Sequence, residues 1–335
     1  MSGEPVRIAL IGLGWWGRKM LSVLETAAEI RVVRAVEPDL AAARAHLAGR
    51  EIPMAADYAE ALADPAVEAV VLATPHALHE AQIAQAVAAG RHVFCEKPLA
   101  LTRAGAARAV ALCADAGLVL GMGHERRFEP PIADLLARAD AGAFGRIHQI
   151  EANFSHDKFL TLAHDNWRLS ADQAPAGGMT ATGIHLLDLA VRLLGPAASV
   201  LCHCERLSSD LPQGDTVAAF AKFKGGGTAY VSASLANPFM SRFTVYGAKG
   251  WIDIRDKAHV EAPAGWVVTS AMAGGPITTA EVAPAEPVKD NLVAFARAIR
   301  KSAPYPITAA HLVNSIALLE AIVTSARSGR VEPVA

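Results

Sequence analysis

The stretch "VRIALIGLGWWG", residues 6–17, opens with a β-rich apolar run and continues with Gly12, Gly14 and Gly17 in the spacing GxGxxG. A strand that runs into this spacing and opens a helix is built to bind a dinucleotide. The first glycine permits the tight turn, the second lets the backbone approach pyrophosphate, and the third lets helix and strand pack closely. The amides of the helix N-terminus then receive the anion. The next β-rich run, "IRVVRAV" (30–36), is followed by Glu37, 20 residues after Gly17. An acid there binds both ribose hydroxyls and repels a 2′-phosphate. Asp39 adds negative charge and Arg34 and Arg44 add positive charge, so NAD is favoured over NADP as the cofactor. Trp15 and Trp16 are bulky for a phosphate loop and either cover the cofactor or simply pack.

Outward from this motif, "AVVLA" (69–73), "HVFC" (92–95) and "LVLGM" (118–122) read as further strands. Alanine-rich helices are expected to begin near Trp15, Leu40, Leu78 and Arg103, with left-handed stops at Gly49, Gly90 and Gly117. That alternation predicts a parallel sheet covered on both faces over 1–122. After Gly123 the rhythm changes. A helix "PPIADLLARADAG" and a strand "GRIHQIEANF" precede a polar segment and a helix carrying His185. The runs "TVAAFAKF", "GTAYVSASL", "SRFTVYG" and "WIDIR" then predict a mostly antiparallel sheet. Two helices, "NLVAFARAIRK" and "AHLVNSIALLEAIVTSARSG", close a second domain over 123–335. The fold class is α/β in the first domain and α+β in the second.

Composition narrows the function. The chain has 335 residues, 52% of them apolar, and 31 basic against 33 acidic side chains. A net charge of −2 argues against a nucleic-acid surface. Glycines interrupt the first apolar run too early for a signal or membrane helix, so a cytoplasmic protein with no membrane partner is expected. Cys202 and Cys204 point to one face of a probable strand, but without further ligands no metal site is expected.

Three further segments, "ATPHALH" (73–79), "CEKPLA" (95–100) and "GGMTATGIHLLD" (177–188), join "GLGWWG" in an order and spacing that resembles the glucose-fructose oxidoreductase, inositol dehydrogenase and MocA (Gfo/Idh/MocA) family. The resemblance covers nearly the whole chain, including "GHERRFEP" and "NWR". It implies an N-terminal Rossmann domain and a C-terminal domain whose large open sheet often makes subunit contacts. It further implies NAD(P)-dependent chemistry on sugars, cyclitols or dihydrodiols by a homodimer or homotetramer. Thr74, Pro75, His79 and Glu96 fall in its cofactor-binding motifs, Lys97 and His185 in its catalytic ones, and Pro98 in a turn with a cis bond. The family's remaining acid, four residues before the histidine, falls on Ala181.

Oxidation of a secondary alcohol needs a proton acceptor and a group that stabilises negative charge on oxygen. Lys97, at the carboxyl end of a parallel strand, is placed to donate to that oxygen, and it serves as the base only if its pKa is lowered. With alanine at 181 no carboxylate supports His185 from the preceding turn. Thr182 offers only a hydroxyl, and Asp188 is expected to pair with Arg192 at i,i+4. Arg126, His156, Asn166, Trp167, Arg168, Thr182, Lys97 and His185 are the residues expected to contact substrate. Alternative readings are a dinucleotide-binding protein without net redox turnover, in a regulatory or assembly role, and a cofactor-recycling lyase or glycosidase.

Overall fold

A computed structural model of the protein describes residues 4–47 and 49–335. The chain forms two compact units. The first comprises the residues up to Ala100, Ala104–Glu125 and Glu286–Ala309; the second comprises Leu101–Arg103, Arg126–Ala285 and Ala310–Ala335.

The first unit carries a six-stranded parallel sheet with the order β3-β2-β1-β4-β5-β6. Its strands are β1 (Val6–Ile11), β2 (Ile30–Val36), β3 (Met54–Ala55), β4 (Ala69–Leu72), β5 (His92–Cys95) and β6 (Leu120–Met122). Between them run α1 (Trp15–Leu24), α2 (Leu40–His46), α3 (Tyr58–Ala63), α4 (His79–Ala88) and α5 (Arg103–Asp115). Every residue of β4 is buried, as a strand covered on both faces requires. Gly49, Gly90 and Gly117 have φ of 81°, 69° and 65°, the left-handed stops expected of them. The two-residue strand β3 and the short helix α3 were not foreseen, because neither is long enough to show a period.

The second unit is built on a nine-stranded sheet. After α6 (Pro130–Asp140), β7 (Ile147–Ser155) and α7 (Ile184–Leu194), the chain adds β8 (Ala197–Glu205), β9 (Thr216–Phe223), β10 (Thr228–Ser234), β11 (Met240–Gly247), β12 (Gly250–Asp256), β13 (Trp266–Met272) and β14 (Thr278–Val282). Helix α8 (Pro287–Ile299), helix α9 (Ala309–Ser328) and strand β15 (Glu332–Pro333) complete the chain. The order is β14-β13-β12-β11-β7-β10-β9-β8-β15, antiparallel except where β10 runs parallel to β7. In β9, Val217, Ala219, Ala221 and Phe223 face the core while Phe220 and Lys222 face outward. Strands β13 and β14 lack that alternation, and β14 is almost wholly exposed, so their sequences did not announce them.

Helix α8 corrects the expectation of a single cut after residue 122. It belongs to the first unit, where Phe295 meets Phe94 of β5 edge-on at 5.6 Å and the Asn291 side chain donates to the Met122 carbonyl at 2.8 Å. Gly121 makes room for this pair, since a Cβ there would lie 2.7 Å from both rings. A pairing between residues some 170 positions apart is invisible to local periodicity.

Candidate active site

In the first unit the strand order reverses between β1 and β4, and their diverging carboxyl ends leave the crevice in which such sheets bind ligands. The glycine loop lies there. Gly12 has φ 91°, and a Cβ on it would stand 2.8 Å from the Ala73 carbonyl oxygen. A Cβ on Gly17 would lie 2.0 Å from the Gly12 oxygen, whereas beside Gly14 there is open space for a pyrophosphate. Glu37 follows β2, and its Oε2 accepts a hydrogen bond from the Leu13 amide at 2.8 Å. Arg34 is paired with Asp64 at 2.7 Å, and Arg44 is exposed. Trp15 and Trp16 are both half-buried at the start of α1. Loop, helix terminus and acid together fit a dinucleotide.

The turns after β4 and β5 flank this crevice. The Thr74 hydroxyl donates to Gln82 Oε1 at 2.5 Å, and Pro75 leads into a 3₁₀ turn at His76–Leu78. Glu96 is 6% exposed, with its carboxylate against Gly123, where a Cβ would lie 2.4 Å from Oε1. The Lys97 amide donates to Glu96 Oε2 at 3.1 Å, and the Lys97–Pro98 peptide is cis, as the resemblance implied. From Val93 to Ala100 every residue is buried except Lys97. His79 departs from the expectation of a cofactor contact. It has no exposed surface, and its ring nitrogens meet the Pro98 and Thr74 carbonyls at 2.7 and 3.1 Å, so it can reach a cofactor only through the turns it lies between.

In the second unit, "GGMTATG" forms a π-helical turn over Met179–Gly183 rather than an α-helical start. The Thr182 hydroxyl lies against two carbonyls, Phe154 at 2.6 Å and Gly178 at 3.0 Å, which ties the turn to β7 and makes this side chain a brace rather than a substrate contact. Between Ala174 and Val191 every residue is buried except Ala181, the position where the family acid is missing. His185 is buried, with its ring 6.4 Å from that of Phe154. The same phenyl ring is faced by His156 at 6.4 Å, His259 at 5.8 Å and Phe239 at 6.2 Å. His259 Nδ1 lies 3.4 Å from Glu261 Oε2, and Lys158 forms an ion pair with the same carboxylate. Burial pushes the Glu261 carboxyl up, but hydrogen bonds from His259 and Lys158 outweigh it and hold it below the usual range. Phe239, His259 and Glu261 were missed. They sit in loops after β10 and β12, and only the fold brings them to β7.

Two arginines also differ from expectation. Arg126 is 2% exposed; its guanidinium is held by Asp256 at 2.9 and 3.1 Å, by Ser241 and by Glu129, and covers the Phe154 ring at 5.3 Å. A cation neutralised by buried carboxylates braces the site instead of reading substrate. Asp188 takes Arg127 in a bidentate pair at 2.6 and 2.7 Å, while Arg192 pairs with Asp140, because burial favours the fully enclosed partner over the i,i+4 neighbour. Arg168 stacks on Trp167 at 4.4 Å, and Asn166 caps the short turn that carries both.

Comparison with known proteins places the chain in a family. Residues 6–124 match the Gfo/Idh/MocA oxidoreductase family, NAD-binding Rossmann fold, and residues 132–253 match the Gfo/Idh/MocA C-terminal domain. The chain is 29% identical to the 1,5-anhydro-D-fructose reductase of Ensifer adhaerens over 319 residues, 94% of this chain and 90% of that protein. It is 26% identical to D-xylose 1-dehydrogenase (NADP(+)) 2 of Haloferax volcanii over 321 residues, 96% and 97% of the two chains. Levoglucosan dehydrogenase in complex with NADH shares the fold, with a TM-score of 0.85 at 21% identity over 99% of each chain. With both of its domains matched, the chain belongs to the Gfo/Idh/MocA family and is an NAD(P)-dependent oxidoreductase.

Proposed function

We propose that the protein transfers a hydride between NAD and a secondary alcohol, or the corresponding carbonyl, of a sugar, cyclitol or dihydrodiol, with Lys97 and His185 serving the reacting oxygen. The observation that carries this reading is that Lys97 alone is half-buried rather than buried within the strand-end motif, on the sheet edge that also holds the glycine loop and Glu37. When bound, the cofactor supplies the hydride acceptor. Lys97 donates to the substrate oxygen as charge develops on it, and takes the proton if its amine is neutral. If the amine stays charged, His185 or a water takes the proton. Glu37 favours NAD over NADP, and the pairing of Arg34 with Asp64 removes a cation that could hold a 2′-phosphate. Asn166, Trp167 and Arg168, each half-buried, remain the polar and aromatic groups offered to substrate, whereas His156 is buried against Phe154 at 3% exposure. The same reading includes a homodimer or homotetramer formed through the outer sheet face, where Phe220 and Tyr230 stand opposite each other on β9 and β10, each 45% exposed.

Absorbance at 340 nm tests it, with NAD and a panel of aldoses, uronic acids, inositols and dihydrodiols at pH 7 to 10. One class is expected to turn over, with Lys97→Ala lowering kcat by about 10²- to 10⁴-fold. Ala181 in place of an acid favours one rival, dinucleotide binding without turnover. That rival prevails if NAD binds and neither alcohols with NAD nor carbonyls with NADH react.

A further inference from the structure

His79 opens α4, and its imidazole lies between two turns: the one after β4, through Thr74, and the one after β5, through Pro98. Both contacts are to backbone carbonyl oxygens, which only accept. A neutral imidazole has a single N–H to give. Burial pushes the His79 imidazole down, which keeps it neutral at physiological pH. The proton then belongs on the nitrogen with the shorter contact, Nδ1, which donates to Pro98 at 2.7 Å, while Nε2 faces Thr74 at 3.1 Å. The Pro98 carbonyl is in the residue directly after Lys97, and the Lys97 amide is held from the other side by Glu96 at 3.1 Å. The backbone that carries Lys97 is therefore pinned at both ends, and one of the two pins is a side chain from a different element.

We infer that His79 is the positioning residue for Lys97: its Nδ1–H holds the Pro98 carbonyl and so fixes where the Lys97 amine points. The inference deepens the proposed hydride transfer and rests on it for Lys97's chemistry, though not for the geometry. The ring also sets a distinction between conservative replacements. Asparagine places its amide nitrogen where Nδ1 lies and keeps the bond to Pro98, whereas glutamine reaches toward the Nε2 position and phenylalanine keeps only the packing.

The test compares wild type with His79→Asn, His79→Gln and His79→Phe. Lys97 is labelled with acetic anhydride and its rate read by mass spectrometry against the other lysines. NAD affinity is followed by tryptophan fluorescence, and kcat and KM are measured on whichever panel substrate reacts. His79→Gln and His79→Phe should change the Lys97 labelling rate by about threefold or more and lower kcat by about ten- to a hundredfold, the scale of a misplaced catalytic group. His79→Asn should stay within about threefold of wild type in both. NAD affinity should hold throughout. Equal effects of all three variants, no effect of any, or a change confined to NAD affinity overturns the inference. So does a wild-type spectrum of ¹⁵N-histidine protein that shows the buried imidazole protonated on Nε2, a reading that needs no variant to fold. If the wild type turns nothing over, labelling and tautomer still decide His79, and it is the redox reading that fails.

Discussion

In the first unit, Gly12, Glu37, Thr74 and Lys97 each stand within two residues of the end of a parallel strand, whereas in the second unit Arg126, His156, His185 and His259 come from separate segments that meet on the ring of Phe154. Parallel strands deliver their carboxyl ends to one edge whatever lies between them, so a site made of strand ends is assembled by topology. A site made on the face of a mixed sheet depends on side chains finding each other across long sequence separations. Its braces are correspondingly ionic and buried: Arg126 with Asp256, Arg127 with Asp188. In the first unit the glycine loop is held through a backbone group, by the bond from the Leu13 amide to Glu37.

The largest expected effect strikes the second unit's braces. Arg126→Met leaves Asp256 and Glu129 buried without their cation and should cost about 3–5 kcal/mol in urea unfolding. A variant that unfolds like wild type and fails only in substrate KM would return Arg126 to a substrate-reading role and weaken the contrast between the units.

Asp215 supplies a local device inside the same unit. It has no exposed surface, and it accepts from the amides of Leu207, Ser208 and Ser209 and from the hydroxyls of Ser209 and Thr216. Burial pushes its carboxyl up, but these bonds outweigh that and lower it from 3.8 to about 2. Because the folded value is the lower one, the ionised group stabilises the fold above the unfolded value, and the contribution is lost as pH falls through about 2. Asp215→Asn should therefore cost about 2 kcal/mol at pH 7. The gap from wild type should narrow between pH 4 and pH 2 (roughly, from the linkage relation). A cost that does not change with pH would assign the effect to packing.

The smallest effect concerns the first unit. Glu37→Gln keeps an oxygen for the Leu13 amide and removes only the charge, so preference for NAD over NADP should fall by about tenfold while NAD still binds. An unchanged ratio of the two affinities would place cofactor choice elsewhere on that edge.

How far the sequence could be read follows the same division. GxGxxG, the acid after β2, and the turns at "ATP" and "EKP" lie within short windows where backbone rules act, and the strands β1, β2, β4 and β5 fell where the apolar runs placed them. The π-helical turn at Met179–Gly183 did not show itself, because its spacing of small and β-branched residues matches an α-helix as well. Nor did the commitment of Asp188 to Arg127. A charged side chain has several neighbours within reach along a helix, and burial alone selects among them.

By itself the sequence determined that a nucleotide-binding parallel sheet comes first and that a mostly antiparallel sheet follows, and its family resemblance implied catalytic roles for Lys97 and His185. Those conclusions rest on glycine geometry, strand period and short motifs, which act over a few residues. Only the tertiary structure decided that α8 returns to the first unit, that His79 lies between the turns after β4 and β5, and that His259 and Phe239 join His156 and His185 around Phe154. Each of these is a choice among distant partners, and it is made by burial and the satisfaction of buried polar groups, which no local window of sequence contains.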